Sequence, residues 1–243
     1  METAEVISKL KALAKKYAKP ENKVGMARFG IVSDTAFGIP IPHIRTLAKE
    51  LKKERNRHEL ALELWEKNIH EAKLLAPMID DAMLVTEIQM DYWVNDFYSW
   101  DICDQCCSNL FDKIPFCDKK IRDWTKSEKE FVRRAGFVLM ATSAVHDKKA
   151  NDERFLSYLP IIEKYSTDER NFVRKAVNWA LRQIGKRNAN LHKAALDLAT
   201  RLKTMRPKKT GASSPVPSEL KTRDDKTPRW IGSDAARELE KRK

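Results

Sequence analysis

Glycine is scarce. Seven occur in 243 residues, and only Gly136 falls between Gly38 and Gly185. Tight hairpin turns and phosphate-cradling loops draw on glycine, so a β-rich fold and a dinucleotide-binding fold are both disfavoured. Proline is thin over the same region, where only Pro77, Pro115 and Pro160 lie between Pro42 and Pro207. Long apolar runs are missing too. The longest weakly polar stretch, Gly136 to Val145, is far short of the ~20 residues needed to span a bilayer. The first twenty residues are amphipathic and Lys-rich, not of signal-peptide type. A soluble, cytoplasmic protein with no membrane partner is expected.

Cysteine is confined to Cys103, Cys106, Cys107 and Cys117. Cys103 and Cys106 make a C-x-x-C, but no second pair or histidine cluster follows at metal spacing. Reduced, partly buried thiols on a helix are the simpler expectation, with no metal site. The histidines His43, His58, His70, His146 and His192 are scattered and read as surface or capping residues. The sequence has no P-loop, G-x-G-x-x-G, G-x-S-x-G or H-E-x-x-H. A nucleotide-dependent enzyme is disfavoured, and no cofactor is expected.

What is present is positive charge and helical periodicity. Lys plus Arg is 47 against 35 acids, a net +12, and an excess of that size favours a polyanionic partner. Apolar residues recur at helical spacing: Ile7, Leu10, Ala14 and Tyr17, then Ile44, Leu47 and Leu51 behind Pro42. Ser127 and Glu130 fit a capping box ahead of a helix carrying Phe131, Ala135, Val138 and Val145. Asp168 is placed to open a helix carrying Phe172, Ala176, Ala180 and Ile184, and residues 190–205 read as a last helix. No period-2 strand stands out. Trp65, Trp93 and Trp124 occupy apolar helical positions and are assigned to the core.

Residues 131–135 (Phe-Val-Arg-Arg-Ala) resemble residues 172–176 (Phe-Val-Arg-Lys-Ala) at an offset of 41, and residues 71–76 are a fainter copy. A helical unit recurring at that period suggests HEAT-like helix pairs. The expected fold is all-α, a HEAT-like helical-repeat solenoid with a concave basic surface. Beyond Met205 the composition turns to proline and charge. Eleven basic and six acidic residues put +5 on residues 206–243 and leave +7 on the rest. The expected division is a domain over 1–205 and a basic, mostly disordered tail over 206–243. The tail ends in a short helix-prone piece, Ser233 to Lys243, which Trp230 and Ile231 could dock.

Two local features could carry chemistry. In Ser99-Trp100-Asp101-Ile102-Cys103-Asp104, a helix capped by Ser99 puts Trp100 and Asp104 on one face. An aromatic face beside a carboxylate attracts a cation. The competing reading is a core tryptophan beside acids that complement a helix dipole. Further on, Lys175, Trp179, Arg182 and Lys186 form one stripe, opposite Val173, Ala176, Ala180 and Ile184. Cations around an exposed ring suit phosphates and bases; packing of Trp179 on the next helix pair is the competing reading. Arg134 occupies the repeat position of Lys175, which suggests a basic track.

In order along the chain, Met26-Ala27-Arg28-Phe29, Phe37-Gly38-Ile39-Pro40-Ile41-Pro42 leading to Arg45, Ser99 to Asp104, Arg133-Arg134-Ala135 and Lys175 to Arg182 resemble the DNA alkylation repair proteins, the AlkD-like HEAT-repeat DNA glycosylases. The resemblance covers roughly residues 20–205. It implies a monofunctional hydrolase that excises cationic purines alkylated at N3 or N7, such as 3-methyladenine and 7-methylguanine, from double-stranded DNA without deep base flipping. Asp104 would stabilise charge developing on the sugar and orient water. Trp100 and Trp179 would flank the sugar, and Arg134 would hold a phosphate. Phe29 stands where the family usually has tyrosine. Lys175 and Arg182 are further candidates for DNA contact. A monomer is expected. Two alternatives stay open: a catalytically inactive module for bent or branched DNA, and a protein-binding scaffold.

Overall fold

The computed structural model describes residues 1–205 and 226–241. Residues 206–225 of the expected tail lie outside the described residues. Every regular element among those described is helical. They group into two compact units, Met1–Lys120 and Ile121–Lys243, with the division inside a short helix, Cys117–Trp124.

In the first unit the helices are α1 (Thr3–Tyr17), α2 (Pro20–Arg28), α3 (Ile41–Leu51), α4 (Arg57–Glu66), α5 (His70–Ile79), α6 (Glu87–Asn95) and α7 (Trp100–Asn109), followed by a 3-10 turn, Phe111–Lys113. Helix α5 is the centre. All ten of its residues are buried, and α3, α4 and α7 pack on it. Trp65 and Trp93 are 1% exposed and stack with centroids 4.2 Å apart, so the core assignment of both holds, as it does for Trp124. The N-terminal stripe is shifted by one residue, with Val6 and Leu10 turned inward and Ile7 only partly covered. Helix α2 has no buried residue.

The second unit follows the short helix α8 (Cys117–Trp124) with α9 (Glu130–His146), α10 (Asp152–Leu156), α11 (Leu159–Tyr165), α12 (Asn171–Gly185), α13 (Ala189–Thr204) and α14 (Lys226–Glu240). Helices α9 and α12 pack side by side, and the sequence repeat is a spatial one. The rings of Phe131 and Phe172 lie 5.5 Å apart, and Phe172 N–H donates to the Glu130 carboxylate at 3.4 Å. The apolar stripe Val173, Ala176, Ala180 and Ile184 is fully buried. Arg187 closes the end of α9 by donating to the carbonyls of Ala144 and Asp147 at 2.8 and 2.9 Å.

Two expected caps are replaced. Lys129, not Ser127, precedes α9, and no side chain caps it; Ser127 Oγ instead accepts from Lys129 N–H at 3.2 Å. Asp168 does not open α12 directly. It accepts from Arg170 N–H at 3.1 Å, while Arg133 reaches it at 2.7 Å, and the helix begins at Asn171. The expected C-terminal piece starts seven residues before Ser233. Helix α14 begins at Lys226 and packs on α12 and α13. Ile231 is fully buried there, whereas Trp230 remains 39% exposed.

Candidate nucleic-acid interface

The first unit holds Phe29, Trp100 and Asp104. Ser99 has extended backbone and ends the preceding turn, so α7 starts at Trp100. Its hydroxyl does not cap the helix; it donates to Asp101 Oδ1 at 2.6 Å. Trp100 and Asp104 are both partly exposed, and one helical turn places them on the same face. The Trp100 indole N–H donates to the Phe29 carbonyl at 2.9 Å. That bond fixes the indole and brings Phe29, 66% exposed, beside it. The Asp104 carbonyl accepts from Ser108 Oγ at 2.7 Å.

Behind this face lies a buried polar network that the sequence does not announce. His70 is fully buried, so its assignment to the surface is corrected. Its Nε2 meets Asp101 Oδ2 at 2.9 Å and its Nδ1 meets the Tyr98 hydroxyl at 2.8 Å. Burial pushes the Asp101 carboxyl up, but the hydrogen bond and charge of His70, with Ser99 Oγ–H and Ile102 N–H, hold it below the ordinary value. Next to His70, the buried Glu71 carboxylate accepts from the backbone N–H groups of Phe37, Gly38 and Ile39 at 2.9, 2.7 and 3.2 Å. Gly38 sits at φ +86°, a left-handed conformation that suits glycine. His58 is also mostly buried, 2.6 Å from Asp80. One polar dipeptide at the start of α5 therefore fixes both the first turn of α7 and the Phe37–Ile39 loop.

The cysteines are all buried. Burial pushes the Cys106 and Cys107 thiols well above the ordinary value, which disfavours thiolate chemistry. Among the described residues, no group of three or more His, Cys, Asp or Glu side chains is arranged to hold a metal ion.

The second unit holds Arg134, Lys175, Trp179 and Arg182, and it treats them differently. Arg134 is 6% exposed and donates from Nη1 to the Phe172 carbonyl at 2.6 Å. That bond ties α9 to the first turn of α12. Lys175 is exposed and Trp179 partly so. Arg182 and Lys186 both pair with Glu238 of α14. Asn178 donates to Asp234 at 2.7 Å, and the Arg174 guanidinium lies 5.3 Å from the centre of the Trp230 ring. The expected basic stripe is thus divided. One edge is neutralised by acids of α14, and Lys175 with Trp179 forms the other edge.

These arrangements define an all-helical protein of HEAT-like repeats. A solved protein described as one of "a new family of proteins related to the HEAT-like repeat DNA glycosylases with affinity for branched DNA structures" shares this fold. It matches with a TM-score of 0.71 and 20% sequence identity, over 82% of this chain and 83% of that one. The sequence pattern of the family described as "DNA alkylation repair enzyme" matches residues 10–236, and the chain belongs to that family. The match runs into α14, so the start of that helix falls within the family's span. No curated protein matches the chain.

Proposed function

We propose that the protein is a monofunctional DNA glycosylase that hydrolyses the N-glycosidic bond of purines alkylated at N3 or N7 in double-stranded DNA. Family membership makes DNA alkylation repair the frame. The observation that carries the chemistry is the pair Trp100 and Asp104 on one face of α7, with the indole fixed by the Phe29 carbonyl.

Alkylation at N3 or N7 makes the purine cationic, so it leaves readily as the C1′–N bond breaks and takes the bonding pair with it. Little acid catalysis is needed. Positive charge grows on the deoxyribose. The Asp104 carboxylate stabilises that charge and orients the water that adds to C1′, accepting its proton. The electron-rich face of Trp100 favours the same cation. Assignment of Trp179 to the sugar and of Arg134 to a phosphate rests on the family resemblance. The burial of Arg134 and its bond to the Phe172 carbonyl favour a holding role for part of its guanidinium, and exposed Lys175 is better placed to meet phosphate. Arg182 contacts DNA only at the cost of its pairing with Glu238. Metal, nucleotide and Schiff-base lysine have no part in this scheme.

The test is release of 7-methylguanine from a duplex carrying one lesion. Release should exceed the spontaneous rate. Asp104→Asn should lose most of it, about 100-fold or more by analogy with loss of one preorganised electrostatic group, while DNA affinity changes little. Absence of release from the wild-type protein would overturn the reading. A second reading, a non-catalytic module for branched DNA, draws support from Phe29 in place of tyrosine and from the branched-DNA affinity described for the solved protein. It expects preferential binding of a four-way junction with no base release.

A further inference from the structure

Helix α3 turns Ile44, Leu47, Ala48 and Leu51 into the core. The flank beside that buried stripe carries Arg45, Lys49 and, at the C-cap, Lys52, all exposed, at spacings of four and three that keep them on one face. Arg45 Nη2 donates to Gln105 Oε1 of α7 at 3.3 Å. The same oxygen accepts from Asn109 Nδ2 at 2.9 Å, and the Asn109 carbonyl accepts from the Lys113 ammonium. A polar seam therefore runs from Arg45 through Gln105 and Asn109 to Lys113, and Gln105 adjoins Asp104 in the chain.

The cations at this seam crowd one another. Partial burial pushes the Lys52 ammonium below the ordinary lysine value, and the charges of Lys113, Arg57 and Arg45 add to it. Arg57 is neutralised by Asp81 at 2.5 Å. Among the described residues, no acid is paired with Arg45, Lys52 or Lys113. The carbonyls at the end of α3 favour one nearby cation, but they do not account for three gathered from two segments. Like charges held together in this way are relieved by an anion.

We infer that Arg45, Lys52 and Lys113 form a phosphate-binding subsite for the backbone of a DNA strand, set beside Asp104 by Gln105 and Asn109 of α7. Seven residues of helix, about 10 Å, separate Arg45 from Lys52, so the subsite spans more than one phosphate. Such contacts set register and affinity and carry no sequence information. The inference rests on the proposed function for its partner, DNA, and not for the base-release chemistry.

The experiment measures binding of the full chain to an unmodified fluorescent 24-base-pair duplex over a range of salt. The proteins are wild type, Lys52→Ala, Lys52→Ala/Lys113→Ala, and a control, Lys148→Ala/Lys149→Ala, which removes two exposed charges elsewhere. Each contacted phosphate contributes about 0.9 to the slope of log K against log salt. The single variant should lose about one unit of slope and the double variant about two, with the control unchanged. Base release by the wild-type protein is measured separately on lesion-bearing DNA, as the readout of the glycosylase reading alone. Slope loss in a protein that releases no base would uphold the subsite and sink the glycosylase reading. Base release with an unchanged slope would do the reverse. A control that weakens binding as much as the double variant, or a wild type that does not bind the duplex, also overturns the subsite.

Discussion

Asp101 lies one residue from Trp100, and its carboxylate is held by His70, Ser99 and the Ile102 backbone. Its folded carboxyl sits below the ordinary value of 3.8. A group depressed in this direction adds stability that is whole above the unfolded value. That stability fades as pH falls through the lower folded value. Asp101→Asn should therefore cost about 1–3 kcal/mol at neutral pH, the cost of leaving His70 poorly paired in a buried place. The gap in melting temperature between the two proteins should narrow below about pH 4. A gap that stays constant down to pH 2 would show that the ionised carboxylate is not the stabilising species. The shared face of Trp100 and Asp104 was legible in the sequence because a four-residue spacing on a helix is a local signal; the chemical role given to them came from the family resemblance. His70 and Glu71 were not legible. Their partners are Asp101 and the loop at 37–39, some thirty residues away, and a single histidine or glutamate carries no periodicity of its own. The signal available for Glu71 was its place in the faint third copy of the repeat, at the position of Glu130.

At the level of elements, helices α1, α3, α9, α12 and α13 were readable from periodicity, and the Phe131/Phe172 repeat proved to be two adjacent helices in matching register. Their ends were less readable. Ser127 and Asp168 have capping chemistry, but each spends it on the turn before the helix. Helix α14 was misjudged at its start because proline and charge dominate the stretch ahead of it. It docks by burying Ile231 and Leu239 fully, with Ala235, Ala236 and Gly232 allowing close approach between them. Gly232 packs so tightly on α13 that an added Cβ would fall on Lys203 N and Ala199 O, both backbone atoms, closer than real Cβ contacts come. Gly232→Ala should destabilise by about 1–3 kcal/mol, the usual cost of overpacking. It should also speed hydrogen exchange in α14 first. Gly25→Ala, in α2 with nothing within 4 Å of the new Cβ, should be neutral or stabilising by up to about 1 kcal/mol. Equal melting temperatures for Gly232→Ala and wild type would mean that α14 does not dock as described.

Across the whole molecule, the +12 charge is used unevenly, and this limits what it can do for binding. Arg133 is spent on Asp168 and Glu128, Lys120 on Glu87 and Asp91, and Arg182 and Lys186 on Glu238. Those cations hold helices together and release no counterions from DNA. Composition alone overstates the charge available to a duplex. Arg45, Lys52, Lys113 and Lys175 remain outside the acid pairings among the described residues, and each unit contributes to that set. If four to six phosphates are neutralised, the slope of log K against log salt should lie near −4 to −5. Use of the full excess would push it towards −11 by the same relation. The measurement is Kd for an unmodified duplex between 50 and 300 mM salt. A slope near the steep limit would mean that the pairs with Glu238 and Asp168 open on binding and that their arginines turn to phosphate. A slope shallower than about −2 would remove electrostatics as the main source of affinity and leave the aromatic residues Phe29, Trp100 and Trp179 to supply it.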